Sequence, residues 1–256
     1  MIEWLIVFSL GLSLGSFGNN AISYFSNSMH FDILRSTCMC GKKKLKYYEL
    51  IPLVSFLFLK GKCSYCDEPI SKRYFLFEIF AGILGIICFE KYGLSFEFIL
   101  YYLSFLIMLV IAVIDFSHLI IPNPLLSSLL IIAIINLFIV DSQVALSIIG
   151  AVILIIILVT VNLLYSKYKK SEAIGYGDIK YIGILTLLFT FPISLFGLWF
   201  SAFLAIPGFY IIKILFSNYT DEKKIPFALF LSFGYLITNL FDNWLISTYN
   251  NFISGY

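Results

Sequence analysis

Two acids stand at the ends of apolar stretches, where an acid is costly to keep and is therefore a candidate for chemistry. Asp115 closes one stretch, in Ala112–Val113–Ile114–Asp115–Phe116–Ser117–His118, with Ile121–Pro122–Asn123 just beyond it. Asp178 opens another, in Gly175–Tyr176–Gly177–Asp178–Ile179–Lys180. Two carboxyl groups held close together at a low-dielectric boundary cannot both ionise easily, so they share a proton. The ionised partner can take a proton from water. The protonated partner can polarise a peptide carbonyl and then protonate the departing amine. That is aspartic-peptidase chemistry, and its titration belongs to the pair rather than to either residue. Gly175 and Gly177 are expected to let the backbone turn tightly and approach closely ahead of Asp178. The plainer alternative is a pair of helix-end acids facing water. Other chemistries are poorly supplied: the chain has two histidines, His30 and His118, and no HExxH, Walker A or GxSxG sequence.

The elements that must position these acids follow from composition. Hydrophobic residues make up 61% of the 256 and charged residues 12%, against roughly 45–50% and ~25% in soluble domains. This excludes a disordered chain, a nucleic-acid binder and an ordinary cytosolic enzyme. It leaves an all-α polytopic membrane protein embedded in a lipid bilayer. A span needs ~20 mostly apolar residues. Eight segments are predicted, at 2–24, 74–89, 96–114, 119–140, 144–165, 179–191, 193–216 and 227–246. The last-but-two and last-but-one come from a single apolar run, 179–216, too long for one span and divided at Pro192, which cannot continue a helix without cost. Glu3 and the lack of a basic leading region make the first segment a retained anchor.

Charge gives the orientation. The loop 26–73 carries nine basic residues: Arg35, Lys42, Lys43, Lys44, Lys46, Lys60, Lys62, Lys72 and Arg73. Lys167, Lys169, Lys170, Lys180, Lys213, Lys223 and Lys224 fall on the same side of an eight-span chain, and only Lys91 on the other. By the positive-inside rule that side is the cytoplasm, with both termini outside it. The fourth and fifth spans form a hairpin between the two acids, so Asp115 and Asp178 are expected at the same, cytoplasmic, face.

The loop 26–73 is also marked by cysteine: Cys38 and Cys40 as CxC, Cys63 and Cys66 as CxxC. Four thiolates in two close pairs suit a tetrahedral structural zinc site, which would staple a small domain with little core. Reduced thiols or a redox pair are the alternatives. A disulfide is disfavoured in a reducing cytosol.

Taken in order, these features resemble the bacterial prepilin peptidases, or type IV leader peptidases. Gly15–Ser16–Phe17–Gly18–Asn19 is similar to that family's GSFLN, and the four cysteines fall where it has paired cysteines. Tyr48–Glu49–Leu50–Ile51–Pro52 is similar to WYENIP, and Gly61–Lys62–Cys63 to GRC. Ile70–Ser71–Lys72–Arg73–Tyr74 with Glu78 is similar to ISxRYPLVE. Asp115 with Pro122 matches the first aspartate motif, and Gly175, Gly177, Asp178 and Lys180 match GxGDxK. Ile225–Pro226–Phe227 resembles the final IPF. The resemblance implies an aspartic endopeptidase of the bacterial inner membrane, with Asp115 and Asp178 catalytic. Its substrates would be prepilins or pseudopilins of pili, type II secretion or competence systems, cut after a glycine to remove a short basic leader. It also implies, for many members, N-methylation of the new terminus with S-adenosylmethionine, to which Gly15, Ser16, Asn19 and Glu49 would carry over. Three parts are expected: a first transmembrane helix over 1–25, a cytoplasmic cysteine domain over 26–73 and a transmembrane peptidase domain over 74–256. The CxC pair, Gly18, the segment 25–27 and Phe75 depart from the family pattern, all in the amino-terminal part.

Two rival readings exist. Presenilin-like enzymes also use a GxGD aspartate but usually carry the first Asp after Tyr, where this chain has Ile114. A transporter with two functional acids would carry them at mid-span within internal repeats. One chain can hold the dyad, so catalysis does not demand a dimer.

Overall fold

The computed structural model describes residues 2–26, 53–140, 144–170, 172–190, 192–215 and 225–254. The described residues form α1 (Ile2–Phe25), α2 (Val54–Phe58), α3 (Lys72–Tyr92), α4 (Phe96–His118) and α5 (Asn123–Ile139), followed by α6 (Val144–Lys169), α7 (Tyr176–Leu188), α8 (Ile193–Leu215), α9 (Phe227–Leu240) and α10 (Asp242–Ser254). Among them there is no β-strand, only an isolated bridge between Lys62 and Pro69.

Every apolar segment expected from the sequence is helical, but they are not alike. Among the described residues, α1, α4, α6 and α8 are each long and apolar enough to cross a membrane. α3 is diluted by Lys72, Arg73, Glu78, Glu90 and Lys91. α5 has 17 residues. α7 has only 13, a rise of about 20 Å. The chain breaks at Pro192 as expected, α7 ending at Leu188 and α8 starting at Ile193.

The segment 227–246, expected as one span, is a bent pair. α9 and α10 meet at 73°, so the described residues hold four membrane-length helices, or five if this pair is one span, rather than eight. The cause is local. Asp242 opens α10, where a negative charge suits a helix N-terminus, and its Oδ1 accepts from the Asn243 N–H at 2.6 Å.

Two compact units divide the chain, Met1–Leu106 and Ile107–Tyr256, with the boundary inside α4. In the first unit α1 packs on α3. The contacts pair Gly11 with Gly82 and Gly15 with Ala81 and Glu78, so the helices run antiparallel. A Cβ on Gly15 would lie 2.7 Å from the Ala81 Cβ. Small residues here let two helix backbones meet, the usual solution where lipid leaves no hydrophobic drive between helices. The Tyr102 hydroxyl of α4 donates to the Ala81 carbonyl at 3.0 Å.

In the second unit α7 packs against α5, α6, α8 and α9. Ile179, Tyr181, Ile182, Gly183, Ile184, Leu185, Thr186 and Leu188 are all buried. A helix apolar on every side belongs in the middle of a bundle. Its C-terminus is tied to α5, since the Asn136 side-chain amide donates to the Leu188 carbonyl at 3.0 Å. α8 and α9 meet through Gly197 against Tyr235 and Gly234 against Ser201.

Candidate active site

Asp115 lies in the last turn of α4, and its side chain is buried, 5% exposed. Asp178 lies in the first turn of α7 and is half-buried. The structure brings the two together: the Asp178 carboxyl is near enough to act electrostatically on Asp115. Their flanking motifs touch as well. Ile121, beside Pro122, lies against Gly177, and the Lys180 ammonium reaches Asn123 Oδ1 at 3.5 Å. Pro122 is the N-cap of α5, its φ of −66° starting the helix that follows Asp115.

Asp115 is held from a third direction. α9 begins after Pro226, which has no side-chain cap to offer its first N–H groups. Asp115 fills that role: its Oδ2 accepts from the Leu229 N–H at 3.2 Å, and the Ala228 N–H also donates to it. The residues that bring α9 here are Ile225–Pro226–Phe227, the last of the family-like motifs. Its placement explains why that motif accompanies the acids.

Asp178 is positioned from α6. Asn162, 2% exposed, accepts from the N–H groups of Ala173 at 2.8 Å and Ile174 at 3.2 Å, fixing the backbone that enters the Gly175 turn. The N-cap Gly175 has φ −62° and ψ 139°, an extended conformation open to any residue. The expected tight glycine turn is therefore not what Gly175 supplies. Space is: a Cβ there would stand 3.1 Å from Asp178 Oδ2. At Gly177 a Cβ would meet Ile121 at 3.5 Å, an ordinary contact.

Tyr181, one turn beyond Asp178, is fully buried and lies within electrostatic reach of both acids. Its hydroxyl shares a hydrogen bond of 2.8 Å with Ser232 Oγ, which donates towards the Met108 and Ala228 carbonyls at 3.0 and 2.8 Å. Asn162, Tyr181, Ser232 and the α9 N–H groups were not singled out from the sequence. A polar Asn inside the apolar run of α6 was the one visible signal.

The other expected site residues lie in the first unit or outside the described residues. Gly15, Ser16 and Asn19 lie on α1. Cys38, Cys40 and Glu49 lie outside the described residues. Cys63 is buried and Cys66 half-buried in a hairpin, closed by the Cys63 N–H to Glu68 O at 2.9 Å and the Asp67 N–H to Cys63 O at 3.0 Å. Two thiols three residues apart on such a turn fit half of a tetrahedral site. Among the described residues, no group of three or more His, Cys, Asp or Glu could hold a metal ion.

Comparison with known proteins agrees in order and extent. Residues 9–92 match the family described as Bacterial Peptidase A24 N-terminal domain, and residues 100–210 the Type IV leader peptidase family. The chain is 37% identical over 203 residues to a prepilin leader peptidase/N-methyltransferase of Vibrio cholerae, covering 72% of this chain and 78% of the relative. A protein of the same description from Dichelobacter nodosus is 36% identical over 211 residues, 79% of this chain and 69% of the relative. One from Bacillus subtilis is 28% identical over 249 residues, 95% and 96%. No solved structure matches the chain.

Proposed function

The chain belongs to the type IV leader peptidase family and is an integral membrane, prepilin-processing enzyme; from that premise we propose that it works as an aspartic endopeptidase with Asp115 and Asp178 as its catalytic pair. The observation that supports the reading is the meeting of the two motifs that bear the acids, Ile121 beside Pro122 lying against Gly177, with the Asp178 carboxyl acting electrostatically on Asp115. In the reaction, the ionised carboxylate takes a proton from water as the water oxygen attacks the scissile carbonyl carbon. The protonated carboxyl donates to the carbonyl oxygen. As the tetrahedral intermediate collapses, the C–N bond breaks and the amine leaves with a proton from the dyad. The Lys180 ammonium reaches Asn123 at the start of α5, and Gly175 lies against the Asp178 carboxyl.

The substrate is a prepilin or pseudopilin, whose short basic leader lies in the cytosol and whose apolar helix lies in the bilayer. Cleavage follows a glycine at the cytoplasmic face of the inner membrane. The eight apolar segments, some of them too short or too bent to span by themselves, form the membrane part. Relatives that are N-methyltransferases as well as peptidases support methylation of the new terminus with S-adenosylmethionine, involving Gly15, Ser16, Asn19 and Glu49. Cys63 and Cys66, with Cys38 and Cys40, hold a structural zinc ion that stabilises the loop between α1 and α3.

The test is reconstitution with a prepilin from the same genome and S-adenosylmethionine, the product terminus being read by mass spectrometry. Asp115→Asn and Asp178→Asn are each expected to abolish cleavage, a loss of at least about a thousandfold, while leaving the protein folded in the membrane. Cleavage surviving in either variant would remove the dyad assignment. An added mass of ~14 Da on the shortened product marks one methyl group; its absence counts against methylation.

A further inference from the structure

We propose that Glu78, Ser16 and Asn19 form a binding site for a primary ammonium, and that its occupant is the amino terminus freed by leader cleavage. The inference rests on the peptidase reading for the identity of its ligand, though not for the site. Glu78 of α3 is 8% exposed and Asn19 of α1 is 1% exposed. The partners of Glu78 among the described residues are neutral donors: the Leu53 N–H, at 2.9 Å from Oε2, and the Ser16 hydroxyl. A carboxylate taken out of water without a cation is expensive.

Beside it is a second unmet need. The Asn19 Nδ2 donates to the Tyr74 carbonyl at 2.9 Å, while its Oδ1 is buried with no hydrogen-bond partner among the described residues. Flipping the amide cannot mend this, because the Tyr74 carbonyl only accepts. Tyr74 and Glu78 are one helical turn apart on α3, as are Ser16 and Asn19 on α1. The backbones are in contact there, a Gly15 Cβ falling 3.0 Å from Glu78 Cα. The site thus offers a buried carboxyl on α3 and an orphan acceptor on α1, each one helical turn from a residue that the other touches. A primary ammonium brings one positive charge and three N–H donors.

The choice of ammonium follows from the reaction. Glu78 lies six residues inside α3 from Lys72, about 9 Å along the helix. That depth suits the end of an apolar helix whose leader has been removed near the interface. Cleavage creates an α-amine, and relatives described as N-methyltransferases must hold a nitrogen.

The experiment uses the full chain in lipid nanodiscs at about pH 7, below the usual α-amino pKa of about 7.7–8.0. The probe is an apolar peptide of about 25 residues, fluorescent at its C-terminus, with a free amino terminus or an acetylated one. Anisotropy titration is expected to show the free amine binding on the order of tenfold more tightly. Glu78→Gln keeps an acceptor for the Leu53 N–H and removes the charge. It is expected to reduce the preference below about twofold, leaving affinity for the acetylated peptide unchanged. Equal affinities in the unaltered protein, or a preference that survives Glu78→Gln, would overturn the proposal. Leader cleavage is followed in the same preparation. Its absence would sink the peptidase reading without touching the amine preference, so the two failures are told apart.

Discussion

Asp115 carries two duties through the same oxygen atoms, and they can be separated by choice of substitution. As an acceptor it caps the first turn of α9 through Leu229; as an acid it serves the dyad. Asn keeps an acceptor and loses the acid, whereas Ala loses both. Asp115→Ala is therefore expected to lower stability by about 1–2 kcal/mol relative to Asp115→Asn, the usual value of a lost helix cap. Thermal unfolding in detergent would measure the difference, and equal midpoints would mean that the α9 contact contributes nothing. Asn162 is the counterpart on the Asp178 side. Asn162→Leu strips two backbone N–H groups of their acceptor, and such groups cost about 1–3 kcal/mol when left unmet. If that cost falls on the geometry of the turn, kcat/KM for leader cleavage drops by about tenfold or more, with the same amount of protein in the membrane. An unchanged kcat/KM would show that the turn holds itself.

At the scale of the helix, close backbone approach is the recurring device, and glycine is its signature. Gly15→Leu would drive a side chain into Ala81 and Glu78, and Gly183→Leu into Ile155. Each is expected to destabilise its own unit by about 1–3 kcal/mol, as overpacking does. Limited proteolysis should then release fragments from the first unit in one case and the second in the other. Much at this scale was legible beforehand. Apolar runs gave the helices, and Pro192 gave the break between α7 and α8. The bend at Phe241 was hidden because a hydropathy window averages across Asn239, Asp242 and Asn243. The cap on α9 was hidden for a different reason. Its donor and acceptor are 114 residues apart, and Pro226 gives no local sign that a cap must come from elsewhere.

For the whole molecule, the asymmetric basic residues make the sharpest expectation. Alkaline phosphatase needs an oxidising compartment to form its disulfides, so it reports sidedness. Fused after Lys91 it is expected to be active, and after Lys170 inactive; the reverse pattern would invert the proposed orientation. The tetrathiolate is tested at the same scale. Metal analysis of carefully purified protein is expected to find about one zinc per chain, and less than half an equivalent would count against the site. Cys38, Cys40 and Glu49, named from the sequence, lie outside the described residues. At Asp178 the residue types pointed to a tight glycine turn, whereas the backbone at Gly175 is extended and the Asp178 carboxyl lies 3.1 Å from where a Cβ would stand.

The cap on Asp115 has a consequence for biosynthesis. A growing chain carries Asp115 and Asp178 well before it carries Leu229, and translation must add 51 further residues after the second acid before that N–H exists. Throughout that interval α4 ends on an acid without its holder. The order of synthesis thus works as a delay, with the site completed only when the later-made α9 reaches it.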